Sequence, residues 1–271
     1  MHSVQSAQLP VLPEAAHLVS ALLVDDSLRA LARIATPSPC TQLVARFGPA
    51  VPGNVDVHVL GAQRRVRRKQ VGAGHRAIVL QLHPGMQRAV AGAAPEALIG
   101  RVVAIEELWG AEAGTRLRAR LAEAADASAA AALLQAAIVE RAAGARHAQT
   151  ATPRLVAALA RLQSAGVAEA ARALGVSERQ LRRDFRDALG LPPKAVARLD
   201  RFARALRAAH AGAQASWASI AAEAGYYDQA HLIAEFNAIA GVGPQALLAE
   251  LRVAAPVGWT RPGRAVAAGA R

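Results

Sequence analysis

The side chains with the clearest chemistry are four arginines on one short stretch, Arg179, Arg182, Arg183 and Arg186. A guanidinium can take guanine O6 and N7 as a bidentate pair, or it can hold a phosphate. Leu181, Phe185 and Leu189 recur at i, i+4 and i+8, which predicts a helix over 178–189 that buries them and leaves the arginines on other faces. Ser177-Glu178-Arg179-Gln180 has the form of a capping box, with Ser at the N-cap and Gln three residues on. Before it, Val167–Leu174 reads as a short Ala-rich helix. Gly175 suits a tight turn because it adopts positive φ without a Cβ penalty. Val176 would plug the space between the two helices. This is the pattern of a helix-turn-helix, whose second helix enters the major groove. Taken alone, it also fits a basic amphipathic helix in a helical bundle.

The pattern then occurs a second time. Trp217–Ala224 reads as a short helix, Gly225 as the turn, Tyr226 as the plug and Asp228 as the cap. A helix over 229–240 would bury Leu232, Phe236 and Ile239. Gly175 to Phe185 spans ten residues and Gly225 to Phe236 spans eleven, so the units are near copies. Pro193 opens a long helix between them, through about Arg207, carrying Lys194, Arg198, Arg201, Arg204 and Arg207. Two such units on a rigid connector could reach successive major grooves, roughly 34 Å apart.

The units differ in charge. From Arg172 to Arg207 there are ten basic and four acidic residues, net +6; from Trp217 to Leu251 there are four acidic residues and no Lys or Arg, net −4. Because phosphate neutralisation dominates affinity for DNA, the first unit is expected to carry most of the binding. The second would contribute through Gln229, His231 and helix termini.

The whole chain frames these signals. It has 271 residues, a formal charge of +12 and a sequence pI near 11.4. Only Lys69 and Lys194 among the 32 basic residues are lysines, and Ala and Gly are also abundant, so GC-rich codons could supply part of the Arg excess. Placement of charge therefore says more than its sum. The length allows one or two domains with proper cores, and 53% apolar residues argue against disorder. A single cysteine, Cys40, excludes an intramolecular disulfide framework and a Cys-rich zinc site; it is expected to be a buried small residue rather than a redox sensor or methyl acceptor. No basic residue precedes Arg29, so a secretion signal is not expected, and no apolar stretch is long enough for a bilayer. A cytoplasmic protein without a membrane partner fits best.

Residues 151–253 resemble the DNA-binding domain of AraC/XylS-type transcriptional regulators. The first unit matches through Gly175, Ser177, Arg179, Leu181, Arg183, Phe185, Gly190, Pro193, Arg198 and Arg201. The second matches through Ala222, Gly225, Tyr226, Asp228, Gln229, His231, Leu232, Phe236, Gly241 and Pro244. The resemblance implies a two-part all-α domain that binds promoter DNA and adjusts transcription initiation. It implies that Arg179, Arg182 and Arg183 face bases and that Arg186 approaches phosphate. With Gln180, Lys194, Gln229 and His231, these form the expected DNA-binding set. The family usually has basic residues two before the helix Phe and just after it; in the second unit these positions are Ala234 and Asn237.

Upstream, the chain reads as short strands and turns from Thr41 to Pro84. Val55-Asp56-Val57-His58-Val59-Leu60 alternates at period two, and Ala77–Leu82 is a compact apolar run. The intervening Arg64–Lys69 run is expected to be a solvated hairpin loop, with an accessory DNA contact as the sharper reading. Ala97–Gly100 reads as a short helix, Val102–Trp109 as mixed, and Thr115–Ala124 and Ser128–Ala142 as helices. Val55-Asp56-Val57, Leu82-His83-Pro84-Gly85 and Leu108-Trp109-Gly110 resemble the cupin-like domain of one AraC-type subgroup, although Pro52-Gly53-Asn54 replaces that subgroup's Pro-Asp-Gly turn.

The fold class expected is therefore α+β. A small antiparallel, cupin-like sensor or regulatory domain occupies 1–114, linker helices that could serve dimerisation 115–150, the double helix-turn-helix domain 151–253 and a flexible tail 254–271. Trp109 and Trp217 are expected to pack, with Trp259 in the tail. His58, His75 and His83 lie near strands and Asp56 shares a strand face with His58, but no tight ligand motif is present, so neither metal nor cofactor is expected. The leading function is a DNA-binding transcriptional regulator rather than an enzyme. The alternatives are a metal-dependent cupin-like enzyme and a protein-interaction regulator with weak DNA binding. Double-stranded DNA is the expected partner; RNA polymerase, an unidentified small-molecule effector and a second copy of the chain stay open.

Overall fold

The computed structural model describes residues 4–145, 153–211 and 216–256. Strands β1 (Val4–Gln8), β2 (Val19–Ser27), β4 (Gln42–Phe47), β5 (Val55–Leu60), β7 (His75–Leu82) and β8 (Val102–Ala104) form a six-stranded antiparallel sheet in the order β1-β2-β7-β4-β5-β8. A second sheet pairs β3 (Leu31–Ala35) antiparallel with β6 (Arg67–Val71) and parallel with β9 (Ala255–Pro256).

Period-two alternation decides which face is buried. Val55, Val57 and Val59 of β5 join Leu43, Ala45, Ile78 and Leu80 in the N-terminal core. Asp56, His58 and Leu60 alternate with them and point the other way. Short helices α1 (Gln87–Ala91), α2 (Pro95–Leu98) and α3 (Ile105–Trp109) lead into α4 (Ala111–Ala122) and α5 (Ala127–Ala143). Leu117, Leu121, Leu134 and Ile138 of these last two helices lie in the same core as the strands. Their apolar faces are thus spent within the N-terminal domain.

The α+β architecture is as the sequence implies: antiparallel sheet first, helices after. Helices α6 (Pro153–Arg161), α7 (Val167–Ala173), α8 (Glu178–Leu189), α9 (Pro193–Ala211), α10 (Trp217–Ala224), α11 (Gln229–Ala240) and α12 (Pro244–Val253) surround a core in which Phe185, Phe202 and Phe236 are fully buried. The rings of Phe202 and Phe236 meet at 4.6 Å between centroids.

Three readings change. The strands begin at Val4, well before Thr41: β1 and β2 of the larger sheet and β3 of the smaller one come first. In β2, Asp25 interrupts the apolar pattern but is buried with the buried guanidinium of Arg33, which also donates to Ser27 Oγ at 2.8 Å. A hydrogen-bonded charge pair of this kind hides the strand from a hydrophobicity pattern. Secondly, the Arg64–Lys69 run is not a solvated loop throughout. Arg67, Arg68 and Lys69 lie in β6, and Val66 is buried. Thirdly, the tail expected from 254 begins inside the fold: Ala254 is buried and Ala255–Pro256 pairs with β3. The rest of that tail, Trp259 included, and residues 146–152 between the linker helices and the helix-turn-helix domain lie outside the described residues.

Candidate nucleic-acid interface

In the first unit, α7 ends at Gly175, which takes φ +65°, and the Val176 amide donates back to the Ala171 carbonyl at 3.1 Å. Ser177 then caps α8: its Oγ accepts from the Gln180 amide at 3.1 Å. Leu181, Phe185 and Leu189 are buried. At about 100° per residue, Arg179, Arg182, Arg183 and Arg186 fall along one stripe about 100° wide. All four are exposed. Arg182 is tied to Glu178 one turn back. Arg179, Arg183 and Arg186 have no carboxylate partner among the described residues. Gln180 lies on the opposite flank, where its amide donates to Asp184 Oδ1 at 2.7 Å. Asp184 also accepts from Arg154 of α6 at 2.8 Å. Lys194 is exposed in the first turn of α9.

The second unit repeats this frame. Gly225 takes φ +79°, and the Tyr226 amide donates to the Ala221 carbonyl at 2.9 Å. Asp228 caps α11 by accepting from the His231 amide at 2.7 Å. Leu232, Phe236 and Ile239 are buried, and the edge of Trp217 packs on Phe236 at 6.2 Å. Glu235 stands one residue before Phe236, as Asp184 stands before Phe185, and it likewise takes an arginine, Arg198 of α9, at 2.8 Å. The positions matching Arg179, Arg182, Arg183 and Arg186 are Ala230, Ile233, Ala234 and Asn237. Gln229 and His231 are exposed; the His231 ring meets Tyr226 edge-on at 5.4 Å.

One exposed side chain of this unit was not legible as a candidate contact. Tyr227 is 93% exposed at the N-terminal end of α11, beside Gln229. The doubled Tyr226-Tyr227 was the available signal, since only one of them can fill the plug site. Tyr226 fills it, under the guanidinium of Arg201 at 5.7 Å. Burial first, and Glu235 second, push its hydroxyl up to about 12.

The N-terminal domain touches both units at equivalent carbonyls. The Gly85 amide donates to Ala188 O at 3.2 Å, and the Val66 amide donates to Ile239 O at 2.9 Å. Ala188 and Ile239 each lie three residues after the helix Phe. Arg68 adds a donor to Ala240 O at 2.9 Å and an ion pair to Glu250 of α12 at 2.6 Å. Gly190, at φ +71°, lies so close to α2 that a Cβ would come within 2.8 Å of the Glu96 amide nitrogen. The basic run of the N-terminal half therefore includes a brace for the helix-turn-helix region.

The remaining candidates do not converge. His58 Nδ1 lies 3.6 Å from Asp56 Oδ1, and Asp56 also pairs with Arg46. Burial lowers the pKa of His58, His75 and His83. Among the described residues no group of three or more His, Cys, Asp and Glu side chains could hold a metal. Burial pushes the Cys40 thiol up to about 12, which disfavours the reactive thiolate. Trp109 packs against the core and its Nε1 donates to the Val90 carbonyl at 2.8 Å.

Among known proteins, the family model described as "Helix-turn-helix domain" matches residues 170–250. No curated protein matches the chain. Two solved structures of ToxT from Vibrio cholerae are distantly similar. That from strain O395 is 9% identical, covering 92% of this chain and 98% of its own, with a TM-score of 0.42. The unsaturated fatty acid-bound wild-type protein from strain SCE256 is 9% identical, covering 90% and 94%, with a TM-score of 0.38. Neither likeness bears on what this chain binds. Among the described residues no single helix is long and apolar enough to cross a membrane. The matched family and the duplicated turn geometry make residues 170–250 an AraC-type helix-turn-helix domain, the DNA-binding kind carried by transcriptional regulators.

Proposed function

We propose that the chain regulates transcription by binding duplex DNA, reading one major groove mainly with α8. The observation that carries this reading is the stripe of exposed arginines on α8, beside a second helix of the same build that has none. Arg179 and Arg183 are one turn apart and, among the described residues, free of carboxylates, so both guanidiniums are available for guanine edges or phosphates. Arg186 continues the stripe towards the helix end. Arg182 first has to leave Glu178, an exposed pair of the kind that contributes roughly 0–1 kcal/mol. Gln180 serves the frame rather than the groove, through Asp184 and Arg154. Lys194 adds a phosphate contact at the start of α9. In the second unit, Gln229, His231 and Tyr227 supply a weaker, uncharged surface.

The N-terminal domain acts as the regulatory part, because it grips the C-terminal ends of both α8 and α11. A small-molecule effector, a second copy of the chain and RNA polymerase are partners this role would accommodate.

The test is capture of sheared genomic DNA by the full chain, followed by sequencing and motif finding. An enriched motif whose capture is lost on Arg179→Ala with Arg183→Ala supports the reading. Equal recovery of all fragments by both proteins overturns it.

A further inference from the structure

A cleft of about 510 Å³ opens on the N-terminal domain where α1, α3, α4 and α5 meet. The volume lies within the usual range for small-molecule sites, about 300–1,000 Å³. Its floor is apolar, with Leu117 buried in the core and Trp109 half-buried above it. Its rim carries Arg88, Arg116, Arg120 and Arg141 against one acid, Glu140. Arg116 is paired with Glu112. Arg88, Arg120 and Arg141 have no carboxylate partner among the described residues.

Two of these groups are held in place. The Trp109 ring is fixed by its Nε1 hydrogen bond to the Val90 carbonyl, 2.8 Å. Arg141 lies over that ring at 5.9 Å, and a Cβ on Gly92 would sit 3.0 Å from its Nη2, so the glycine leaves room for the guanidinium. A guanidinium stacked on an aromatic face still presents its N–H fork outward. Like charges collected over an apolar floor repel one another unless an anion lies between them.

From these observations we propose that the cleft binds a small organic anion: an acidic head group held by Arg88, Arg120 and Arg141, and an apolar or aromatic body laid on Leu117 and Trp109. The proposal is independent of the DNA reading, and its test uses no DNA. The probes are 8-anilinonaphthalene-1-sulfonate and its uncharged counterpart N-phenyl-1-naphthylamine, which share an aromatic body and differ in the sulfonate. Each is titrated into the full chain, with probe fluorescence as the readout.

The sulfonate is expected to bind saturably at one site per chain. Arg120→Gln with Arg141→Gln should weaken it at least tenfold and leave the neutral probe within twofold. Arg88→Gln, an exposed single change on the other wall, should weaken it about threefold and serves should the double variant fail to fold. Arg64→Gln with Arg65→Gln, exposed elsewhere, should have no effect. Sulfonate binding that is unchanged in both cleft variants overturns the proposal. So does a neutral probe that binds the parent protein as tightly as the sulfonate does.

Discussion

Counted from Phe185 in α8 and Phe236 in α11, the two helices agree at several positions that are packed or paired. Leu181 answers to Leu232, Asp184 to Glu235, Gly190 to Gly241, and each acid holds an arginine from a preceding helix. They part company at the exposed stripe, where four arginines face Ala230, Ile233, Ala234 and Asn237. Packing fixes volume and shape at the inner positions, since even a methylene is felt there. It places no such demand on the outer ones. The outer face is therefore where two copies of one frame are free to differ.

The largest expected effects test whether the frame really is duplicated. Phe185→Ala and Phe236→Ala should each cost about 3–5 kcal/mol in urea unfolding of the full chain, as for other fully buried rings. Phe236→Ala should be the costlier, because its ring also meets Phe202 and Trp217. A cost for either variant below about 1 kcal/mol would mean that its unit is loosely packed.

Next comes the reading face. Arg179→Ala with Arg183→Ala removes two groups that, in bidentate contact with guanine, are worth about 1–3 kcal/mol each. Affinity for a genomic fragment captured by the parent protein should then fall at least about thirtyfold. Gln229→Ala with His231→Ala should lose less than that on the same fragment in a fluorescence-anisotropy titration. The reverse order would place the main reader on α11.

A smaller difference separates the two helix ends. Gly190→Ala and Gly241→Ala both put a Cβ at positive φ, which costs roughly 1–2 kcal/mol. Only Gly190 has backbone against it, with Pro95 C and Glu96 N both 2.8 Å from where the Cβ would go. Unfolding should therefore show the larger loss for Gly190→Ala. Equal losses would mean that α2 yields and that the N-terminal domain does not grip α8 at this point.

Much of this was legible in the chain itself. Gly175, Ser177 and Phe185, then Gly225, Asp228 and Phe236, mark turns, caps and seams through local chemistry that needs no distant partner. The period-two run at Val55–Leu60 did the same for β5. What escaped depends on residues far apart in sequence. Arg68 reads as part of a solvated basic run until Ala240 and Glu250 are placed beside it, more than 170 residues away. Strand β2 was obscured by Asp25, which Arg33 and the Ser6 hydroxyl make tolerable in the interior. The cleft rimmed by Arg88, Arg120 and Arg141 draws on four helices, and no spacing in the sequence links them.

The finest test of the comparison adds charge where α11 lacks it. Ala234 is exposed and matches Arg183. Its neighbour Glu235 is already held by Arg198 at 2.8 Å through both carboxylate oxygens, so an arginine at 234 would not be captured by it. If α11 approaches DNA as α8 does, Ala234→Arg brings one more guanidinium to the backbone. The plot of log affinity against log salt should then steepen by about 0.9, with a few-fold gain in affinity at low salt. An unchanged slope would mean that α11 keeps the fold of a reading helix while standing away from the groove, so that the two units share a frame but not a task.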